Sequence, residues 1–254
     1  MKTTQNTVLI TGGSAGIGLA IAKELIQRDN EVIITGRDKE RLRRAAAELG
    51  GKVTPIVSDV SRAEDVESLT QRIRQDFPDL NVLVNNAGKA YAYQPGEWVD
   101  AAERAAREVQ TNFVSVVDLI ERLLPLLKRQ PEAAIVNVTS TLAFVPSVLT
   151  PTYSATKAAL HSFSQVLRLT LHRDTAVRLF ELMPPLVNTE LSREIGGASG
   201  IAPEVVAEKL LEGLDNDIYE IRVGRTEELY KLFLSSPEQA LLGLNKDRLA
   251  FRPA

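Results

Sequence analysis

Short apolar, β-branched runs alternate along this chain with longer segments in which apolar residues recur three and four positions apart. Strand spacing and helix spacing therefore take turns through most of its length. Segments 7–11, 31–35, 52–57, 81–84, 133–139, 176–182 and one near 218–223 read as strands, and segments 17–28, 39–49, 63–77, 102–128, 152–172 and 203–213 as helices. Most of these strands are too uniformly apolar to have a wet face, as a parallel sheet covered by helices on both sides requires. Helix-breaking residues fall between the elements: Gly50 and Gly51 after the second helix, Pro78 after the third, Pro131 before the fifth strand. The pattern predicts an α/β fold, a doubly wound parallel (Rossmann) sheet of about seven strands with helices on both faces, in a single domain spanning 1–254.

Two stretches depart from this rhythm. Residues 89–100, with Tyr91, Tyr93, Pro95, Gly96 and Trp98, and residues 188–202, with Gly196, Gly197 and Gly200, both follow strand ends. In an open α/β sheet the ligand crevice lies outside the carboxyl ends of the strands, so both loops are expected substrate walls, the second with the composition of a lid. The aromatics of the first either line the pocket or pack the loop down. Residues 225–254 are expected to form a C-terminal helical extension whose amphipathic part, 227–244, covers the active site or a neighbouring subunit.

Composition narrows the function. The 254 residues carry a net charge of -3 with acidic and basic residues interspersed, so no basic field invites a nucleic-acid partner. There is no cysteine and there are two histidines, which excludes disulfides and thiolate metal sites and leaves no metal expected. His161 and His172 read as surface or interface side chains without a catalytic role. No window approaches the roughly 18 apolar residues that a membrane span needs, and the cytoplasm is the simplest location.

The first strand runs straight into TGGSAGIG, with Gly12, Gly16 and Gly18 ahead of a helix. Glycines at that place permit a tight turn and close approach of backbone to a pyrophosphate, whose charge then sits at the positive end of the helix. After the second strand, where an NAD site usually offers a carboxylate to the ribose, this chain has Arg37. A guanidinium there suits a 2′-phosphate and points to NADP(H), with NAD(H) as the alternative cofactor. In that alternative Arg37 belongs, like Arg41, Arg43 and Arg44, to a solvated helix face.

Within IVNVTSTLAFVPSVLTPTYSATKAAL, Ser140 ends a strand, Tyr153 opens a helix, and Lys157 lies one turn further on the same face. An isolated phenol, with a pKa near ~10, is a poor base, but a neighbouring ammonium and an oxidised nicotinamide both favour the phenolate. Tyr153 can then exchange a proton with a substrate oxygen that Ser140 hydrogen-bonds, while Lys157 also holds a ribose hydroxyl.

With these residues in view, the chain resembles the short-chain dehydrogenase/reductase (SDR) family from Thr7 to about Thr189. The resemblance runs through TGGSAGIG, the SDV at Ser58 to Val60, the NNAG at Asn85 to Gly88, Asn112, and the set Ser140, Tyr153 and Lys157. It implies that Gly12, Ser14, Gly16, Ile17, Gly18, Gly88, Pro184 and Val187 bind the cofactor, that Asp59 and Val60 flank its adenine, and that Asn86 and Ala87 line the adenosine ribose side. It further implies that Thr189 reaches the nicotinamide end, and that Asn112 holds a water in the proton relay. One departure is MPPLVNT, in which Pro185 replaces the family's glycine and fixes a φ that glycine would leave free. The double proline, IVNVTSTLAF and EIRVGRTEEL are similar to the DltE-like branch of that family.

The expected function is an NADPH-dependent oxidoreductase that interconverts a small-molecule carbonyl and a primary or secondary alcohol. An NAD-dependent alcohol dehydrogenase is the alternative enzyme, and a non-catalytic dinucleotide-binding sensor or assembly subunit the alternative outside enzymes. The helices at 102–128 and 152–172 are those through which family members pair, so a homodimer or homotetramer is expected.

Overall fold

The computed structural model describes residues 1–94 and 98–248; Pro95 and Gly96 of the first loop and the last six positions of the C-terminal extension lie outside that set. Seven parallel strands, β1 (Thr7–Ile10), β2 (Glu31–Gly36), β3 (Val53–Val57), β4 (Leu80–Asn85), β5 (Ala133–Val138), β6 (Val177–Met183) and β7 (Glu220–Arg222), form one sheet in the order β3-β2-β1-β4-β5-β6-β7. The order reverses between β1 and β4, which opens a crevice beyond the carboxyl ends of those two strands.

Helices cover both faces. Val8 and Ile10 of β1, with Val32 and Ile34 of β2, pack with Ile21, Leu25, Leu42, Leu210 and Leu211 from α1 (Gly16–Gln27), α2 (Lys39–Leu49) and α7 (Pro203–Asp215). Leu9 and Ile33 point the other way, with Leu69, Leu119, Leu123 and Leu160 from α3 (Ala63–Asp76), α5 (Ser115–Leu127) and α6 (Pro151–Asp174). Alternate residues of β1 and of the centre of β2 are thus buried in opposite layers, which is why those runs are apolar throughout.

Two predicted elements are altered. The helix expected at 102–128 starts as α4 (Ala101–Val109), widens into a π turn at Gln110–Val114 and resumes as α5, so the 3.6-residue periodicity is broken around Asn112. The amphipathic stretch is two helices, α8 (Arg225–Ser235) and α9 (Pro237–Asn245), because Pro237 cannot continue the first and starts the second. Asn245 of α9 accepts from Val148 N–H at 2.9 Å and donates to Pro146 O at 3.0 Å, so the extension holds the segment between Ser140 and Tyr153.

Candidate active site

The crevice is shaped first by backbone. Gly12 and Gly16 adopt positive φ of 67° and 53°, and a Cβ on Gly18 would lie 2.4 Å from Asn86 Nδ2 and 2.5 Å from Gly12 O. Glycine is required at all three positions to bring the turn this close to β4. Thr11 stitches the two segments together: its Oγ1 accepts from the Asn86 and Ala87 N–H groups at 3.0 Å each. The Asn86 amide donates to Thr11 O at 2.9 Å and to Gly12 O at 3.2 Å. Gly12, Ser14, Gly16, Ile17, Gly18, Asn86 and Ala87 therefore gather at the switch point, with the free N–H groups of α1 opening onto it.

Arg37 stands exposed at the end of β2. Asp59 follows β3, with Oδ1 accepting from Ser61 N at 3.0 Å and Ser61 Oγ at 2.7 Å, and the Val60 side chain beside it is buried. On the other side of the crevice, Thr189 comes within 3.0 Å of where a Gly16 Cβ would stand. Glu190 forms an ion pair with Arg41 of α2, tying the 188–202 segment across the opening. That segment is two short 3-10 turns, Glu190–Ile195 and Gly197–Ser199, closed by a parallel bridge between Val187 and Ile201. The double proline leading into it is anchored by Pro184 O, which accepts from Thr141 N at 3.0 Å.

Ser140, Tyr153 and Lys157 converge where β5 meets α6. Ser140 caps the 3-10 turn Thr141–Ala143, its Oγ accepting from Leu142 N at 3.1 Å, and it faces the Tyr153 phenol. Pro151 opens α6 and sets Tyr153 in its first turn. Lys157 Nζ lies 5.4 Å from the centre of the Tyr153 ring and donates to Val138 O at 2.7 Å, which leaves two of its N–H groups free. Burial drives the Lys157 ammonium down to about 8, although the Glu181 charge opposes the fall. Burial, and then the Glu108 charge, push the Tyr153 phenol well above its ordinary range, while Ser140 pulls the other way. Burial and the Glu108 charge both favour the neutral phenol over the phenolate.

Asn112, fully buried in the π turn, binds both backbone groups of Lys89: its Oδ1 accepts from the N–H and its Nδ2 donates to the carbonyl, each at 2.8 Å. The same amide donates to Thr156 Oγ1 at 2.9 Å, and Thr156 in turn donates to Tyr153 O at 2.7 Å. Asn112 thus joins the loop after β4 to the first turn of α6. Gly88, one residue earlier, would place a Cβ 3.7 Å from Asn112 Oδ1.

Of the loop aromatics, Tyr93 is buried and packs the loop down. Its N–H donates to Leu149 O at 2.8 Å, its hydroxyl accepts from Thr152 at 3.2 Å, and Arg104 stacks over its ring. Trp98 is exposed. A cavity of about 330 Å³ lined by Ala92, Tyr93, Gln94, Val99, Arg104 and Glu194 separates this loop from the 188–202 segment.

Sequence reasoning passed over two buried carboxylates beside this centre, Glu108 and Glu181, and read His161 as a surface or interface side chain. Glu108 accepts from Tyr91 N at 2.7 Å with one oxygen and has no hydrogen-bond partner for the other among the described residues. Glu181 interrupts the apolar run of β6, and His161, expected at the surface, is half-buried against it at 2.8 Å. A carboxylate inside a strand otherwise reading LF and LM was the available signal, because a buried charge needs a partner.

A model of the short chain dehydrogenase family matches residues 6–200. The chain belongs to that family. It is 46% identical over 239 residues to the uncharacterized oxidoreductase DltE of Bacillus subtilis, with 90% of this chain and 92% of the relative covered, which places it in the DltE-like branch. It is also 35% identical over 186 residues to the NADP-dependent 3-hydroxy acid dehydrogenase YdfG of Salmonella typhi, covering 73% of this chain and 74% of the relative. Among solved structures, a short chain dehydrogenase of Burkholderia cenocepacia in complex with NADP superposes with a TM-score of 0.84 at 25% identity, over 98% of this chain and 99% of that one. The sheet order, glycine turn and Ser140–Tyr153–Lys157 cluster described above are thus set in a short-chain dehydrogenase, and the protein is an oxidoreductase of that family.

Proposed function

We propose that the protein is an NADPH-dependent carbonyl reductase or alcohol dehydrogenase working through Tyr153. The observation that carries this reading is the convergence of Ser140, Tyr153 and Lys157 at the mouth of a crevice whose glycines leave room for a dinucleotide backbone. The nicotinamide, when bound, supplies or accepts the hydride.

Each side chain then has one task. Ser140 hydrogen-bonds the substrate oxygen, stabilising the negative charge that grows there. Tyr153 gives that oxygen its proton in reduction and takes it back in oxidation. Lys157 turns its free N–H groups to a ribose hydroxyl and, as an ammonium, lowers the cost of the phenolate. Asn112 holds the loop after β4 against α6 and is the residue around which a relay water would be organised.

Arg37, exposed just after the carboxyl end of β2, is the group to bind a 2′-phosphate, with Ser14 nearby: its Oγ stands 3.0 Å from where a Gly36 Cβ would be. The relative named NADP-dependent 3-hydroxy acid dehydrogenase supports this preference and makes 3-oxo acids the first carbonyls to screen. Val109, Val114, Val166 and Leu169 are exposed on the helices from α4 to α6, an apolar surface that supports pairing of two copies there. No helix among the described residues is long and apolar enough to cross a membrane.

The test is a titration with NADPH and with NADH, followed by nicotinamide fluorescence, on wild type and Arg37→Ala. NADPH should bind at least about tenfold more tightly, and the variant should lose that preference while keeping its NADH affinity. Equal binding of both cofactors by the wild type would contradict the assignment of Arg37.

A further inference from the structure

A line of polar side chains crosses the otherwise apolar sheet beneath α6. Asn85, Asn137, Glu181 and Glu220 are successive partners in register on β4, β5, β6 and β7. Asn85 donates to Asn137 at 2.9 Å, and Asn137 donates to Ser164 of α6 at 2.9 Å. Glu181, fully buried, accepts from Thr139 Oγ1 at 2.8 Å and lies 2.8 and 3.0 Å from His161 Nδ1 through its two oxygens. Arg168 approaches it at 3.6 Å and is itself paired with Glu220 at 3.1 Å.

Two adjacencies connect this line to the reactive centre. His161 follows Lys157 by one helical turn, on the same face of α6. Val138, whose carbonyl holds Lys157, and Thr139, whose hydroxyl holds Glu181, are consecutive in the chain. The lysine and the carboxylate are therefore anchored to neighbouring residues and covered by one helix.

A carboxylate at this depth is costly to bury, and the residues around it in β6, Phe180, Leu182 and Met183, show that the strand accepts apolar side chains. Lys157 sits 3% exposed, where an ammonium unaided would lose its proton. The charged groups around Glu181 are His161 and Arg168 from α6 and Glu220 from β7, itself neutralised by Arg168 and Arg222; Lys157, on the same helix, feels the Glu181 charge through space, and β5 presents only uncharged Asn137 and Thr139.

We propose that Glu181, oriented by His161 and Thr139, is a positioning residue of the reaction: the buried counter-charge that keeps Lys157 an ammonium beneath Tyr153. The assignment deepens the function proposed above and rests on Lys157 acting there as a cation. Its hydrogen bonds fix where the negative charge stands, and that charge acts on the reaction only through Lys157.

The experiment follows the ¹³Cε resonance of Lys157 against pH in the full-length, cofactor-free protein, assigned by its disappearance in Lys157→Met. Wild type should titrate with a midpoint near about 8. Glu181→Gln keeps the shape and the hydrogen bonds to Thr139 and His161 but removes the charge, and should lower the midpoint by about one pH unit or more. His161→Gln keeps an N–H donor for the carboxylate while removing its cationic partner, so the midpoint should hold or rise. An unmoved midpoint in Glu181→Gln, or a fall in His161→Gln, overturns the proposal, and the second arm decides alone if Glu181→Gln does not fold.

Activity adds a separate reading. Glu181→Gln should bring the alkaline loss of carbonyl reduction to lower pH by the same interval, with the substrate KM little changed, whereas a purely structural defect would depress the rate at every pH. Retained turnover in Lys157→Met would sink the proposed function without touching the resonance result.

Discussion

β1 and the centre of β2 bury apolar side chains on both faces, Val8, Leu9, Ile10, Val32, Ile33 and Ile34 all being fully enclosed, whereas β4 to β7 carry Asn85, Asn137, Glu181 and Glu220 across the face beneath α6. The first region makes its site from backbone: positive φ at Gly12 and Gly16, the absent side chain of Gly18, and the amide ladder between Thr11 and Asn86. The second makes its site from side chains whose charges are set by burial, with Lys157 held down and His161 held up by its bond to Glu181. On the function proposed above, cofactor grip is a matter of shape, and proton handling a matter of buried charge. The two should fail in different ways.

The largest effect expected short of removing the acid itself is on the reactive side. Ser140→Ala should lower kcat about 10²–10³-fold, as loss of one donor to a developing oxyanion does, while the NADPH dissociation constant stays within about twofold. A matching loss of cofactor affinity would erase the separation between the regions. On the cofactor side, Gly18→Ala forces a Cβ into Asn86 and Gly12, and should weaken both cofactors by about 10²-fold while the Lys157 titration is unchanged; fluorescence titration and the ¹³Cε resonance check the two halves.

A subtler effect is on stability. The Lys157 pKa is depressed in the folded state to about 8, from 10.5 when free, so the fold carries the cost of a buried ammonium below pH 8 and sheds it as the pH rises toward 10.5. Lys157→Met should therefore stabilise the protein at pH 7, by on the order of 1–3 kcal/mol, and the gain should shrink across that interval. Thermal unfolding at pH 7 and pH 10 measures it; a variant less stable than wild type at both would show that the bond to Val138 outweighs the buried charge.

Much of the fold was legible because strand and helix periods differ and the breaks between them are marked by glycine and proline. The second helix agrees residue for residue, and the seven strands differ only at their ends. The long helix before β5 shows where pattern reading stops: a π turn adds one residue to a turn without changing composition, and Asn112 stands inside it. Ser140, Tyr153 and Lys157 were legible because their spacing has a meaning on a strand end and a helix face. Glu108, His161 and Glu181 were not, since their roles come from pairings across 17 to 20 positions of sequence that only the packing of α6 on the sheet and of α4 on its loop creates.

The central claim is that Tyr153 delivers the proton, and Tyr153→Phe tests it with the fold and the crevice intact. With a carbonyl found by screening, single-turnover oxidation of bound NADPH should fall by at least about 10³-fold in the variant while NADPH affinity is unchanged. Turnover within about tenfold of wild type would contradict the account, and an unaltered cellular phenotype in the same variant would favour a dinucleotide-binding sensor over an enzyme.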